Sequence, residues 1–198
     1  MVTALIAFAL AATVLILLPG PDTMILLRAI AVSGRPGGLR TAAGILTGLA
    51  VWIASACIGL AALLRASEVG FTVLRIAGAV YLVILGVQAL RGNGAPDRRG
   101  LLGTGYAAGL ACNLFNPKVG VFFVTFLPGF VPAGASVAST SALFGAVFLA
   151  LSVTYFAVLL LAVEKLTAWL RDERIRRRIE RVSGVVLIGF GVRLATES

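Results

Sequence analysis

The chain has 198 residues, 60% of them hydrophobic and only 13% charged, with 17 basic side chains, 8 acidic ones and no histidine. A soluble domain of this length needs a surface rich in Lys, Glu, Arg and Asp, and a composition with mean hydropathy +1.04 does not supply one. Soluble enzyme, nucleic-acid binder and disordered chain are disfavoured despite the net charge of +9, and the excess of arginine reads as a topology signal.

Apolar runs between charges predict six membrane spans, at 3–27, 41–64, 74–90, 103–127, 137–163 and 182–195. The first has no basic residues ahead of it, and hydrophobicity resumes after Pro21, so it reads as a retained helix rather than a cleaved signal. The sixth is short for a hydrocarbon core of ~30 Å. Cys57 and Cys112 lie inside apolar runs, which argues against a disulfide framework.

Arginines set the orientation. Arg28, Arg35 and Arg40 fall between spans one and two, and Arg91, Arg98 and Arg99 between three and four. Between five and six come Lys165, Arg171, Arg174, Arg176, Arg177, Arg178 and Arg181. The opposite side holds Arg65, Arg75 and Arg193. The positive-inside rule makes the arginine-rich side cytoplasmic and puts both termini outside.

The two halves resemble each other. Arg75-Ile-Ala-Gly78 with Leu85-Gly86-Val87-Gln88 matches Arg181-Val-Ser-Gly184 with Phe190-Gly191-Val192-Arg193, and the Pro19-Gly20-Pro21-Asp22 run corresponds to Asn116-Pro117-Lys118. Two units of three spans enter the membrane from opposite sides. The expected fold is therefore an all-α integral membrane protein of one domain, 1–198, built as two inverted three-helix repeats, 1–92 and 100–198.

Spans one and four carry the chemistry. Proline removes a helical hydrogen bond and clashes one turn back, and in lipid such breaks persist only where protein or water meets the freed groups. Pro19, Gly20 and Pro21 break span one, and Pro117 breaks span four. Each break carries an ionisable residue, Asp22 and Lys118, and charge inside a membrane costs roughly 2.5–3.5 kcal/mol on insertion scales. One acid and one base suit a small zwitterion. Lys118 is expected to hold its carboxylate and Asp22 to bind its amino group or exchange a proton. Asn113 and Asn116 would orient the ligand, and Thr23 and Gln88 are weaker members of the set. Asp22 could instead cap the end of the first helix, and Lys118 could reach toward the outer interface. Gly44 with Gly48 and Gly105 with Gly109 put small residues on one helix face for close packing within the chain, or for a homodimer. Trp52, Trp169, Tyr81, Tyr106 and Tyr155 read as packing or interface residues. No cofactor, metal or nucleic-acid partner is implied. The alternatives are an exporter of inorganic cations, which one carboxylate opposed by a lysine serves poorly, and a structural membrane subunit without transport activity.

These motifs are similar to those of the LysE/RhtB amino-acid exporter family. The resemblance rests on Pro19-Gly-Pro21-Asp22-Thr23, on Gly34-Arg35 with Gly37 and Gly44, and on Tyr81-Leu82 with Leu85-Gly86 and Ala89-Leu90-Arg91. It continues through Asn113-Leu-Phe-Asn116-Pro117-Lys118, Phe122-Phe123 and Phe126-Leu127-Pro128 to Ser183-Gly184 and Gly191-Val192-Arg193. It implies efflux of amino acids or their derivatives across the bacterial cytoplasmic (inner) membrane, driven by the proton gradient. The sequence departs from the usual pattern at Trp52, where a histidine is often found, and at Gly129, where a glutamine often follows Leu-Pro.

Overall fold

The computed structural model describes residues 1–60 and 103–162, with isolated helical or turn positions between 72 and 91 and between 174 and 192. Every element among the described residues is helical. Helix α1 spans Val2–Leu17 and α2 spans Pro21–Ser55, followed by a π-helical turn at Ala56–Leu60. Helix α3 covers Tyr106–Leu114 and α4 covers Pro117–Val121, running on through a π turn at Phe122–Phe126 and a 3-10 turn at Leu127–Phe130. Helix α5 is Val137–Leu161.

Both expected breaks are present. Pro19 and Pro21 have no N–H to offer Leu15 and Leu17, so α1 ends and Gly20 passes in extended conformation (φ −129°, ψ −171°) to Pro21, at the start of α2, where a missing N–H costs nothing. Pro117 likewise ends α3 and opens α4, and the helices on either side of this second break are bent by 52°.

The stretch 28–40, between the first two predicted spans, is helical except for a single reversal. Gly34 takes φ 63° and ψ −167°, a conformation open to glycine and strained for other residues. Pro36 follows in the first turn of the resumed helix, where proline is tolerated. The bend is sharp enough that a Cβ on Gly38 would meet the Ile30 side chain at 2.5 Å, whereas a straight helix separates such positions by ~12 Å. Arg35 donates from Nη2 to the Leu161 carbonyl at 3.5 Å, so an arginine at the bend meets the C-terminal end of α5.

Close packing joins α2 to α3. A Cβ on Gly44 would run into the Tyr106 carbonyl, and one on Gly109 into the Thr41 carbonyl. Gly44 and Gly109 are therefore packed inside the chain, whereas Gly105 precedes α3 at φ 102° with open space where a Cβ would stand. Thr41 bridges the same interface, donating to the Gly37 carbonyl at 3.0 Å and accepting from the Gly105 N–H at 2.9 Å.

Phenylalanines fill the space between α1, the turns after α4, and α5. Phe8 stacks on Phe144 at 4.7 Å and meets Phe130 edge-on at 5.5 Å, while Phe122 and Phe123 both contact Phe148 at 5.1 Å. A second cluster, including Leu26, Ile45, Phe156 and Leu159, ties both arms of α2 to α3 and α5.

Among the described residues many large apolar side chains are exposed. Helix α5 buries Thr140, Ser141 and Ser152 while exposing Leu143, Val153, Val158 and Leu161, the reverse of a soluble helix. By length and composition Pro21–Ile58 and Val137–Leu161 each suffice to cross a bilayer, and the bent pair Tyr106–Leu114 and Lys118–Val124 makes a third. The expected third and sixth spans fall, apart from isolated helical positions, outside the described residues.

Candidate functional site

The two breaks meet. Asp22 stands in the first turn of α2, just past the α1 break, and its Oδ2 accepts from Asn113 Nδ2 at 2.9 Å and Asn116 Nδ2 at 3.0 Å. Both asparagines belong to the other break, Asn113 in the last turn of α3 and Asn116 at the cap of α4. The Cys112 thiol adds a weak donor to the same carboxylate. Asn116 has a second duty: its Oδ1 accepts the Lys118 backbone N–H at 3.1 Å, satisfying one of the free amides at the start of α4.

Lys118 reciprocates. Its ammonium donates to the Leu15 carbonyl at 3.0 Å and the Leu18 carbonyl at 2.9 Å, at the broken end of α1. Leu15 needs this donor because Pro19, four residues on, has no N–H. Gly20 makes the approach possible, since a Cβ there would lie 3.0 Å from Nζ and 3.4 Å from Cε. Among the described residues no ion pair joins Asp22 to Lys118, although each lies within electrostatic reach of the other. Asp22 therefore does not cap the end of the first helix, and Lys118 turns inward onto the α1 break.

Asp22 Oδ1 and Asn113 Oδ1 are buried acceptors without a hydrogen-bond partner, as is Ser141 Oγ. An ammonium carries three N–H donors, and Lys118 spends two on the carbonyls. Asp22 Oδ1 and the Lys118 ammonium can each take one further hydrogen-bond partner.

Of the weaker expectations, Thr23 is buried and its hydroxyl pairs with Tyr155 Oη at 3.2 Å, next to Asp22 in sequence but bonded to α5. Gln88 lies outside the described residues. Two residues that the sequence marks as packing or interface aromatics contribute here. Tyr155 is one, and its position inside an apolar run is a faint signal. The other is Trp52, whose Nε1 donates to the Asn113 carbonyl at 3.3 Å. The signal was indirect: Pro117 deprives that carbonyl of its helical donor, so some other group has to approach.

Helices with exposed apolar side chains, and two discontinuous helices meeting at a part-buried acid and base, define a helical membrane protein with polar groups at its centre. The LysE type translocator family matches residues 13–198, and the chain belongs to this family, whose members are transporters and not enzymes. An uncharacterized membrane protein of Pseudomonas aeruginosa is 35% identical over 201 residues, covering 96% of this chain and 93% of that protein. An uncharacterized membrane protein of Bacillus subtilis is 25% identical, covering 96% of this chain and 97% of its own. The leucine efflux protein of Salmonella typhimurium is 29% identical over 190 residues, covering 92% and 90%. No solved structure matches the chain.

Proposed function

We propose that this translocator is a secondary active exporter of amino acids or amino-acid derivatives, moving them out of the bacterial cytoplasm in exchange for protons. Membership of the family and the leucine efflux relatives support the substrate class. The observation that carries the reading is the part-buried acid and base, each held by the opposite break, with the buried Asp22 Oδ1 left without a partner.

In this reading the substrate carboxylate takes the remaining Lys118 N–H, and the substrate ammonium takes Asp22 Oδ1. Asn113 and Asn116 keep the carboxylate group turned so that this oxygen faces the ligand. A proton on Asp22 competes with the ammonium for the same oxygen, which couples the two movements. The four cross-braces tie the two breaks together, and a zwitterion bound between Asp22 Oδ1 and the remaining Lys118 N–H changes the balance of those contacts, so that one repeat can rock against the other. Six spans in two inverted repeats, seated in the inner membrane with both termini outside, complete the picture. The matched pair of breaks and the placement of the arginines support it.

Counterflow in proteoliposomes tests the function. Vesicles loaded with leucine are expected to accumulate labelled leucine or another member of a broad amino-acid panel, faster when a proton gradient is imposed. Asp22→Asn is expected to lower the rate roughly ten- to hundredfold, the scale of one charge-assisted hydrogen bond. Absence of counterflow across the whole panel rejects amino-acid export.

A further inference from the structure

We infer that Trp52 is a positioning residue that sets the affinity of the polar centre by holding Asn113 in place; the inference rests on the export reading above. Trp52 and Gly48 stand one turn apart on α2 and face the same residue. A Cβ on Gly48 would lie 2.8 Å from Asn113 Oδ1 and 3.0 Å from Asn113 Cβ, so the asparagine side chain lies directly against the α2 backbone. One turn on, the Trp52 indole donates to the Asn113 carbonyl at 3.3 Å. Its ring rests on Gly120 of α4, where a Cβ would come within 2.9 Å of Cη2 and 3.0 Å of Cζ2.

An indole is needed here because of Pro117. In an unbroken helix the Asn113 carbonyl would accept from residue 117, which here has no N–H. The Asn116 N–H reaches it at 3.0 Å in a tighter turn, and Trp52 brings a second donor from another helix. The indole therefore spans both sides of the break, bonded to the end of α3 and stacked on α4. Asn113 is gripped at its backbone by Trp52 and at its side chain by Gly48, and its amide then meets Asp22 Oδ2 at 2.9 Å. That grip decides which carboxylate oxygen is occupied and which stays open. Trp52 touches no ligand in this scheme and acts through Asn113.

The variant Trp52→Phe keeps an aromatic ring over Gly120 and removes the donor. In leucine counterflow it is expected to raise KM about fivefold, the scale of one hydrogen bond, while Vmax and the melting temperature in detergent stay at parental values. A parental KM, or a lower Vmax at unchanged KM, overturns the inference and leaves amino-acid export standing. A second measurement is independent of transport. The chain has two tryptophans, so Trp169→Phe leaves Trp52 as the single emitter. In that background Asn113→Ala and Asp22→Asn are expected to shift the Trp52 emission maximum, whereas Thr154→Val on the exposed side of α5 leaves it in place. Emission unmoved by Asn113→Ala and Asp22→Asn overturns the inference whether or not the parent transports. If the parent carries no amino acid yet the emission responds, export fails and the positioning of Asn113 by Trp52 stands.

Discussion

Lys118 and Asp22 are satisfied by uncharged groups of the opposite break, which has a consequence for substitution. A lysine ammonium on two helix-end carbonyls keeps those oxygens from being buried unpaired, a state that costs roughly 1–3 kcal/mol per group. Lys118→Met leaves two such oxygens and is therefore expected to destabilise the protein by roughly 2–6 kcal/mol, read as a lower melting temperature in detergent. Asp22→Asn is nearly isosteric, and its amide oxygen still accepts from Asn113 and Asn116, so its melting temperature is expected to stay near the parent's while the transport rate falls. Equal loss of stability in both variants would contradict this division of labour. At this scale the sequence disclosed which groups carry charge, because an ionisable residue beside a proline break stands out in an apolar chain. It did not disclose partners. Nothing in Lys118 itself points to Leu15 and Leu18, and Trp52 looks like any aromatic in an apolar run until Asn113 is seen beneath it.

Among the elements, the breaks were legible and the bend was not. Pro19, Pro21 and Pro117 remove named hydrogen bonds, and the helices stop where those bonds are missing. The run from Arg35 to Gly38 falls between two predicted spans, and one glycine at φ 63° accomplishes the whole reversal and helix resumes at once. Local composition does not count how many residues a turn consumes. The glycine motifs were legible as close-packing faces, and the structure places Gly44, Gly48 and Gly109 between α2 and α3. Gly109→Ala would push a methyl group into the Thr41 carbonyl, where backbone rather than a movable side chain opposes it. The expected cost is ~1–3 kcal/mol, measured by unfolding in mixed detergent, together with weaker transport because α3 carries Asn113. Unfolding at the parental midpoint would show that α2 and α3 separate without penalty.

For the whole molecule the governing fact is the solvent. Buried Thr140, Ser141 and Ser152 with exposed leucines and valines on the same helix make sense only where the surroundings are apolar. The placement of the arginines predicts the orientation: tags at either terminus are expected to be reached by an impermeant reagent in intact cells, and labelling only after lysis would reverse the topology. Composition and hydropathy by themselves determined that this chain lives in a membrane, that it is helical, and where two of its helices must break, since each depends on local chemistry summed along the chain. Only the tertiary structure decided that the acid of one break rests on the asparagines of the other, that the lysine returns to the first, and that one carboxylate oxygen stays open. Such pairings join residues about a hundred positions apart, and they are set by how helices rotate and approach in three dimensions, which no local pattern records.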